Sequence, residues 1–404
     1  MSRRHPLDVI NRFSDQPVLI SRLLSLALLG TVVLISPGMA QQPADIRHVV
    51  AAIEKDRFHG WPANNGAWQW GDELLVGFTQ GDYDSVDGHN IKGIEESKFA
   101  RSRDGGESWE MFDPDNFLDD ENVKWLPQGK KKLTSPIDFT HGGFAMRVFG
   151  TGYHGNDDPA GGFYYSYDRG ATWNGPYYLG DINSHEALRD KALTPRTDYL
   201  VLGKRECIVF ITARDNGNND ANNRGSQRIA CIRTVDGGVS FELLSWITPA
   251  SDEYRTIMPC TIQLSANEFV TAFRKINVDK SQLESTIDTY HSADQGRSWS
   301  FLSTIKEIKF NSNPPALLKL ADGRLCCVYG DRDVGKIAGK MSNDSGKSWG
   351  QEFTIRADYV DSDDWADMGY PRLAQRSDGK LVAMYYWASP EHPQHYIAAS
   401  IWQP

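Results

Sequence analysis

No apolar stretch of this 404-residue chain is long enough to cross a bilayer, which takes about 20 residues; the main run, Leu23 to Ile35, has 13. Arg3, Arg4, Arg12 and Arg22 precede that run and Gly38-Met39-Ala40 follow it. Residues 1–40 therefore read as an export signal, with an uncleaved anchor as the competing reading, and residues 41–404 as a domain released to the periplasm or the medium. Positive charge is scarce too: 43 Lys and Arg stand against 53 Asp and Glu, for a net charge of −10. Residues 1–40 carry four arginines and two aspartates, so their removal takes the balance to −12. That excludes nucleic acid and anionic membrane surfaces as expected partners.

Cysteine is sparse. Cys207, Cys231, Cys260, Cys326 and Cys327 include no C-x-x-C pair and no Cys/His cluster, so neither a metal nor another cofactor is expected. They read as small buried hydrophobes, the alternative being a disulfide between Cys207 and Cys231 on neighbouring strands. Long helical periodicity is missing, and no Ser/Pro-rich or low-complexity linker divides residues 41–404, so a single all-β domain is expected.

What the chain does contain is a repeat. Ser102-Arg-Asp104-Gly-Gly106-Glu-Ser-Trp109 returns at Ser166 to Trp173, Thr234 to Phe241, Ser292 to Trp299 and Ser342 to Trp349, giving S/T-x-D-x-G-x-x-W/F five times. Each position suits a tight hairpin: Ser and Asp bond local backbone N–H groups, Gly takes a φ > 0 conformation, and the aromatic folds back over the turn. Before each repeat, and once more at the C-terminal end, lies a pair of strands joined by a short turn, often with Pro at its start. These pairs are residues 62–78, 136–150, 198–213, 259–273, 315–329 and 371–386. Six units of about 61 residues each fit blades of a β-propeller with room for loops. The sixth has no repeat and ends at Tyr396 to Trp402, so a strand from His48 to Ile53 is expected to complete it and latch the ring.

A propeller brings residues just past the second strand of each unit to one mouth of its axis. Arg214, Arg274 and Arg332 occupy such positions in units three, four and five, and Arg57 lies just before unit one. Guanidinium groups aimed at one pocket would hold a carboxylate through bidentate hydrogen bonds; pairing with local acids such as Asp215 or Asp331 is the structural alternative.

The repeat resembles the Asp-box of sialidase-like propellers, and the resemblance covers nearly all of residues 41–404 at the level of blades. It implies a six-bladed β-propeller with five Asp-box hairpins. It also implies an exo-α-sialidase-like glycoside hydrolase, with three arginines on the sugar carboxylate, an Asp as proton donor and a Tyr–Glu pair as nucleophile. Arg214 and Arg274 match the second and third arginines. The family's Arg-Ile-Pro triplet is replaced by Gly60-Trp61-Pro62, with Arg57 five residues before the proline. The resemblance points to Asp84 or Asp87, in the loop 81–89, as the acid, and to Asp198 or Glu206 at the Glu position. Where the Tyr is expected the chain reads Asn311-Ser312-Asn313-Pro314-Pro315, and Tyr370 in Asp367-Met-Gly-Tyr370-Pro371 is the nearest substitute.

A glycosidase needs a proton donor and a second group as nucleophile or base, and Asp84, Asp87, Asp198, Glu206 and Asp367 supply carboxylates for both. Trp61, Trp68, Trp70 and Tyr385-Tyr386-Trp387 offer rings for a sugar face, core packing being the alternative. His141, His154 and His185 are further candidates for the mouth, and residues 215–224 form an Asn-rich hairpin loop. The expected partner is an acidic glycan or sialoglycoconjugate. Hydrolysis or lyase elimination of another anionic polysaccharide, and glycan binding without catalysis, are the alternatives.

Overall fold

A computed structural model of the protein describes residues 42–43, 45–85, 89–113, 129–150, 160–215, 227–279, 285–309, 312–360 and 366–404. The signal-like segment, Asp87, His154 and most of the Asn-rich loop lie outside them.

The described strands form six antiparallel sheets, the blades of a six-bladed β-propeller. Blade one holds β2 (Arg57–Gly60), β3 (Ala67–Trp70), β4 (Glu73–Tyr83), β5 (Ile91–Ser102) and β6 (Glu110–Phe112). Blade two holds β7 (Ala145–Phe149), β8 (Gly162–Ser166) and β9 (Asn174–Tyr177). Blade three runs β10 (Lys191–Gly203), β11 (Glu206–Asp215), β12 (Gln227–Thr234) and β13 (Glu242–Trp246). Blade four runs β14 (Tyr254–Gln263), β15 (Phe269–Asn277), β16 (Ser285–Ser292) and β17 (Ser300–Ile308). Blade five runs β18 (Ala316–Lys319), β19 (Leu325–Asp331), β20 (Lys336–Ser342) and β21 (Phe353–Arg356). Blade six runs β22 (Gly369–Gln375), β23 (Leu381–Trp387) and β24 (Tyr396–Trp402), and its outer place is taken by β1 (Arg47–Ala52), paired antiparallel to β24. An N-terminal strand thus completes the C-terminal blade, as the sequence requires, and removes the open edge that the missing repeat would leave.

Strands apolar on both faces build a continuous core. Six hydrophobic clusters lie between successive blades: Phe99 with Tyr164 and Trp173 between one and two, Ile208 and Phe210 with Phe269 and Phe273 between three and four, Cys326 and Val328 with Leu381 and Tyr385 between five and six. All five cysteines are buried and free. Cys207 and Cys231 belong to clusters on opposite faces of blade three, which rules out the disulfide.

The five Asp-box turns share one set of hydrogen bonds. In blade five, Ser342 Oγ accepts from the Gly346 amide at 2.9 Å and donates to Asp344 at 2.8 Å, while Asp344 accepts from the Ser348 amide at 2.9 Å. The same bonds recur at Ser102, Ser166, Thr234 and Ser292. Left-handed backbone is adopted by the Gly and by the residue before it: Arg169, Gln295 and Ser345 all have φ near +60°. The turn needs two consecutive positive-φ residues, and the short hydrogen-bonded loop sustains the strain at the non-Gly one.

Blade two departs from expectation. Residues 136–150 read as two strands, yet only β7 forms. The amides of Ile137 and Phe139 bond instead to Gly237 and Lys204 carbonyls in the turns of blade three, and a Cβ at Gly143 would lie 2.1 Å from the Tyr167 carbonyl oxygen. The segment is spent on closing the interface between blades two and three.

Replacing Ser342 by Ala leaves the buried Gly346 amide without its acceptor, and we expect a loss of about 1–3 kcal/mol. Chemical denaturation checks this; an unchanged midpoint would mean that the turn is held by Asp344 alone.

Candidate active site

Inner strands of four blades break their ladder: β10 between Pro195 and Tyr199, and three others each at an X-Pro pair whose preceding residue is left-handed. Pairing is interrupted between Ile257 and Cys260 in β14 and between Gly369 and Arg372 in β22. In blade one a single-turn helix, α1 (Pro62–Asn65), separates β2 from β3. The three left-handed residues are Trp61 at φ +60°, Met258 at +58° and Tyr370 at +49°. An extended backbone would turn these side chains alternately into the interblade clefts; the bulge turns them toward one another, and all three pack in a single cluster drawn from blades one, four and six.

Tyr370 is held from below by Asn313. The Tyr370 amide donates to Asn313 Oδ1 at 2.7 Å, and Gly369 must lack a side chain because a Cβ there would stand 2.3 Å from that oxygen. The segment in which the family's tyrosine is absent thus fixes the backbone of Tyr370, one blade on.

Asp367 sits beside this cluster with its side chain fully buried. It accepts from Tyr386 Oη at 2.5 Å, from His89 Nδ1 at 2.9 Å and from the Asn90 amide at 3.4 Å, and Arg332 Nη2 lies 3.6 Å away. Burial alone would raise this carboxyl. The His89 hydrogen bond and the charges of His89, His395 and Arg332 outweigh burial and hold it at about 2. An ionised partner makes Nδ1 the protonated nitrogen of His89, which is 43% exposed and packs edge-on against Trp61 at 4.8 Å.

The arginines separate. Arg332 joins the cluster, with its guanidinium 5.7 Å from the Tyr370 ring and 3.0 Å from Tyr386 Oη. Arg274 joins it as well, donating to Ser312 Oγ at 3.1 Å and to Met258 Sδ at 3.3 Å. Arg214 is buried on the face of β11 that carries Ile208 and Phe210, in the cleft between blades three and four, one cleft away from Arg274. Arg57 is paired with Asp82 at 2.5 Å and Glu96 at 2.8 Å, so protein carboxylates occupy it.

Among the acids, Asp84 borders the site: its amide bonds the Asn90 carbonyl at 3.2 Å and its carboxylate meets Lys92 at 3.2 Å. Glu206 is removed from it. It opens β11 eight residues before Arg214, about 27 Å away along an extended strand, and pairs with Arg233 at 2.6 Å. Its position in the sequence matched, but its end of the strand is the Asp-box end.

Asp198 lies deeper, on inner strand β10. Both of its oxygens bond Thr261 of blade four, amide at 3.0 Å and hydroxyl at 2.8 Å. Arg372 reaches across the axis to the carbonyls of Ala63 and Thr197, each at 2.6 Å. Burial raises Asp198 to about 6 against the pull of the Thr261 bonds and the Arg372 charge.

His89, Asn313 and Glu95 escaped sequence reasoning. Glu95, on β5, has a buried oxygen without a partner among the described residues, and burial pushes its carboxyl up to about 7. A Glu in a strand of alternating polar residues carries no signal of that environment. For His89 and Asn313 the signal is spatial: both matter through contacts with residues hundreds or tens of positions away. Trp68, by contrast, packs with Phe99 and Trp173 inside the interface of blades one and two.

The model of the BNR repeat-like domain matches residues 93–383. No curated protein sequence matches the chain. Among solved structures, a protein of unknown function from Dyadobacter fermentans DSM 18053 superposes with a TM-score of 0.62 at 16% identity, covering 89% of this chain and 99% of that one. The Hadza microbial sialidase Hz136 superposes at 0.54 with 16% identity, over 82% of this chain and 63% of the sialidase. The α-L-arabinofuranosidase Arb93A of Fusarium graminearum, solved with an iminosugar inhibitor, gives 0.50 at 14% identity, over 86% and 96%. At these identities the likeness is one of fold.

Asp198 has a folded pKa above its unfolded value, so it favours the folded state at low pH and that contribution is lost as pH rises from about 4 through about 6. Asp198→Asn removes this dependence: relative to the wild type, the variant gains stability between pH 4.5 and 7 in urea denaturation. A constant difference across that range would place the carboxylate in a compensated environment.

Proposed function

The chain belongs to the BNR repeat-like domain family, and on that premise we propose that it is an exported glycoside hydrolase that removes a terminal acidic sugar at the mouth of the propeller. The observation that carries the reading is Asp367, a buried and ionised carboxylate that orients a solvent-facing histidine beside an aromatic and arginine cluster. Asp367 holds His89 in the tautomer and orientation in which it accepts a proton from water attacking the anomeric carbon. Asp84 or Asp87, in the same loop, gives a proton to the departing oxygen as the glycosidic bond breaks. Arg274 and Arg332, which flank Met258 and Tyr370, meet the sugar carboxylate. The fold shared with a sialidase and an arabinofuranosidase supports glycan cleavage as the reaction class.

One observation favours a second reading. The ionised Asp367 carboxylate is covered, and its exposed partner is His89. An exposed base beside arginines suits β-elimination from a uronate: His89 takes the C5 proton, the C4–O bond breaks, a C4=C5 double bond forms, and the leaving oxygen takes up a proton. An acid glycan would serve either reaction.

Purified protein incubated with fluorogenic α-sialoside, β-glucuronide and α-L-arabinofuranoside between about pH 4 and 8 tests the proposal. Release from an acidic substrate is expected, with Asp367→Asn lowering kcat/KM by about 100-fold or more. Ultraviolet absorbance of a conjugated enoate appearing on a uronate polymer would transfer the site to elimination. Cleavage of the neutral arabinofuranoside alone overturns the acidic preference, and no turnover on any substrate overturns the enzyme.

A further inference from the structure

A second concavity opens on blade three, away from the axial cluster. Its walls are Lys191, Ala213, Arg228 and Trp246, closed by Ala187 and Ala250, around a volume of about 190 Å³. Sheet register explains why these residues meet. Leu193 pairs with Ala213, Ala213 with Arg228, Lys191 with Asp215, and Ala230 with Trp246. Alternation of side chains therefore puts Lys191, Ala213, Arg228 and Trp246 on one face, spanning the blade from its inner to its outer strand. Leu193, Ala213 and Ala230 of that face belong to the core shared with blade two, whereas Arg214 lies on the other. Three alanines where larger side chains would fill the space leave the cleft.

Arg228 is oriented with care. Its guanidinium stacks 4.4 Å from the centre of the Trp246 ring, and Nε and Nη2 both donate to the Thr248 carbonyl, at 2.9 and 2.5 Å. Among the described residues it has no carboxylate partner. Lys191 stands across the cleft and is paired with Asp215. The charged residues that line the cleft are thus both cations, Lys191 and Arg228, with Asp215 paired to the first, in a chain whose net charge is −10. Partial burial without a counter-ion disfavours the charged guanidinium and lowers its pKa, with nearby Tyr254 opposing the shift. A bound anion would remove that cost.

We propose that this cleft binds the carboxylate of an acidic sugar residue, with Arg228 as the principal contact, Lys191 as the second and Trp246 as the support that holds the guanidinium plane. Planar, charge-assisted bonding by a preoriented guanidinium suits a carboxylate. That the carboxylate is carried by a saccharide rests on the glycan reading of the axial site; the anion site itself does not.

Titration of the full-length protein with glucuronate, glucose and acetate, followed by the chemical shifts of the Trp246 indole, which lines this cleft and not the axial cluster, tests it. Glucuronate binds and glucose does not. Arg228→Gln weakens glucuronate binding by about tenfold or more, while Asp367→Asn leaves it unchanged. Equal binding of glucose, or wild-type affinity in Arg228→Gln, overturns the proposal; acetate binding as tightly as glucuronate overturns the saccharide part. Should Arg228→Gln fail to fold, Lys191→Met must weaken the same binding, and no change there is equally decisive. Turnover of short substrates at the axis is unaffected by Arg228→Gln, so loss of the hydrolase reading and loss of this site are read in separate assays.

Discussion

The interruption of the inner-strand ladder beside the axis, in blades one, four and six, is the constraint from which the site follows. The breaks at Trp61, Met258 and Tyr370 use the same device. A proline withholds its amide from the ladder, and the residue before it accepts a left-handed backbone that costs about 1–3 kcal/mol for a non-Gly residue. In blade four the surrounding sheet sustains that cost through long pairing on either side of the bulge, with β14 and β15 in register from Gln263 to Cys260 and again from Ile257 to Tyr254. The gain is directional: three large side chains that a regular strand would bury between blades meet instead at the axis.

Around them the axis is polar and filled. Asn65 joins α1 to Arg147 of blade two at 2.6 Å, Thr197 of blade three bonds the carbonyls of Asn65 and Val148, and Arg372 of blade six clamps Ala63 and Thr197. Backbone carbonyls freed by the broken ladders would be costly if left dry. Long arginines answer them, so the same interruption that creates the cluster also recruits cations to the centre of an acidic protein.

The architecture was legible because it repeats. S/T-x-D-x-G-x-x-W/F encodes a local turn whose bonds span four residues, so each copy carries its own structural meaning. The latch between β1 and β24 was legible by subtraction, since six strand pairs with five hairpins leave one edge uncovered. The site was legible only where it too was local: Asp367, Tyr370 and Trp61 stand at X-Pro breaks that interrupt a strand pattern, and Arg274 and Arg332 at strand ends. Arg214 and Glu206 show the limit. Arg214 faces the following blade just as Arg274 and Arg332 do on theirs, but that places it in the cleft between blades three and four, whereas the cluster draws on blades one, four and six. Glu206 has the right spacing from its neighbours but lies at the far end of its strand. Blade two failed for another reason: its backbone amides found partners in the next blade, which no pattern within residues 136–150 can announce.

Asp198 and Asp367 carry the argument one step further, because the same side chain near one axis is driven in opposite directions. Asp198 is enclosed by neutral donors from Thr261, with a single cation nearby, and burial prevails. Asp367 is as deeply enclosed but faces His89, His395 and Arg332 at once, and charge prevails. The difference is one of neighbours rather than depth, and those neighbours come from three blades: His89 from blade one, Arg332 from blade five, His395 from blade six. A carboxylate that stays ionised while sealed from water therefore depends on the closed ring as a whole. It fixes His89, a partner that reaches solvent, so on the proposed reading His89, and not the buried acid itself, is the group that would meet a ligand.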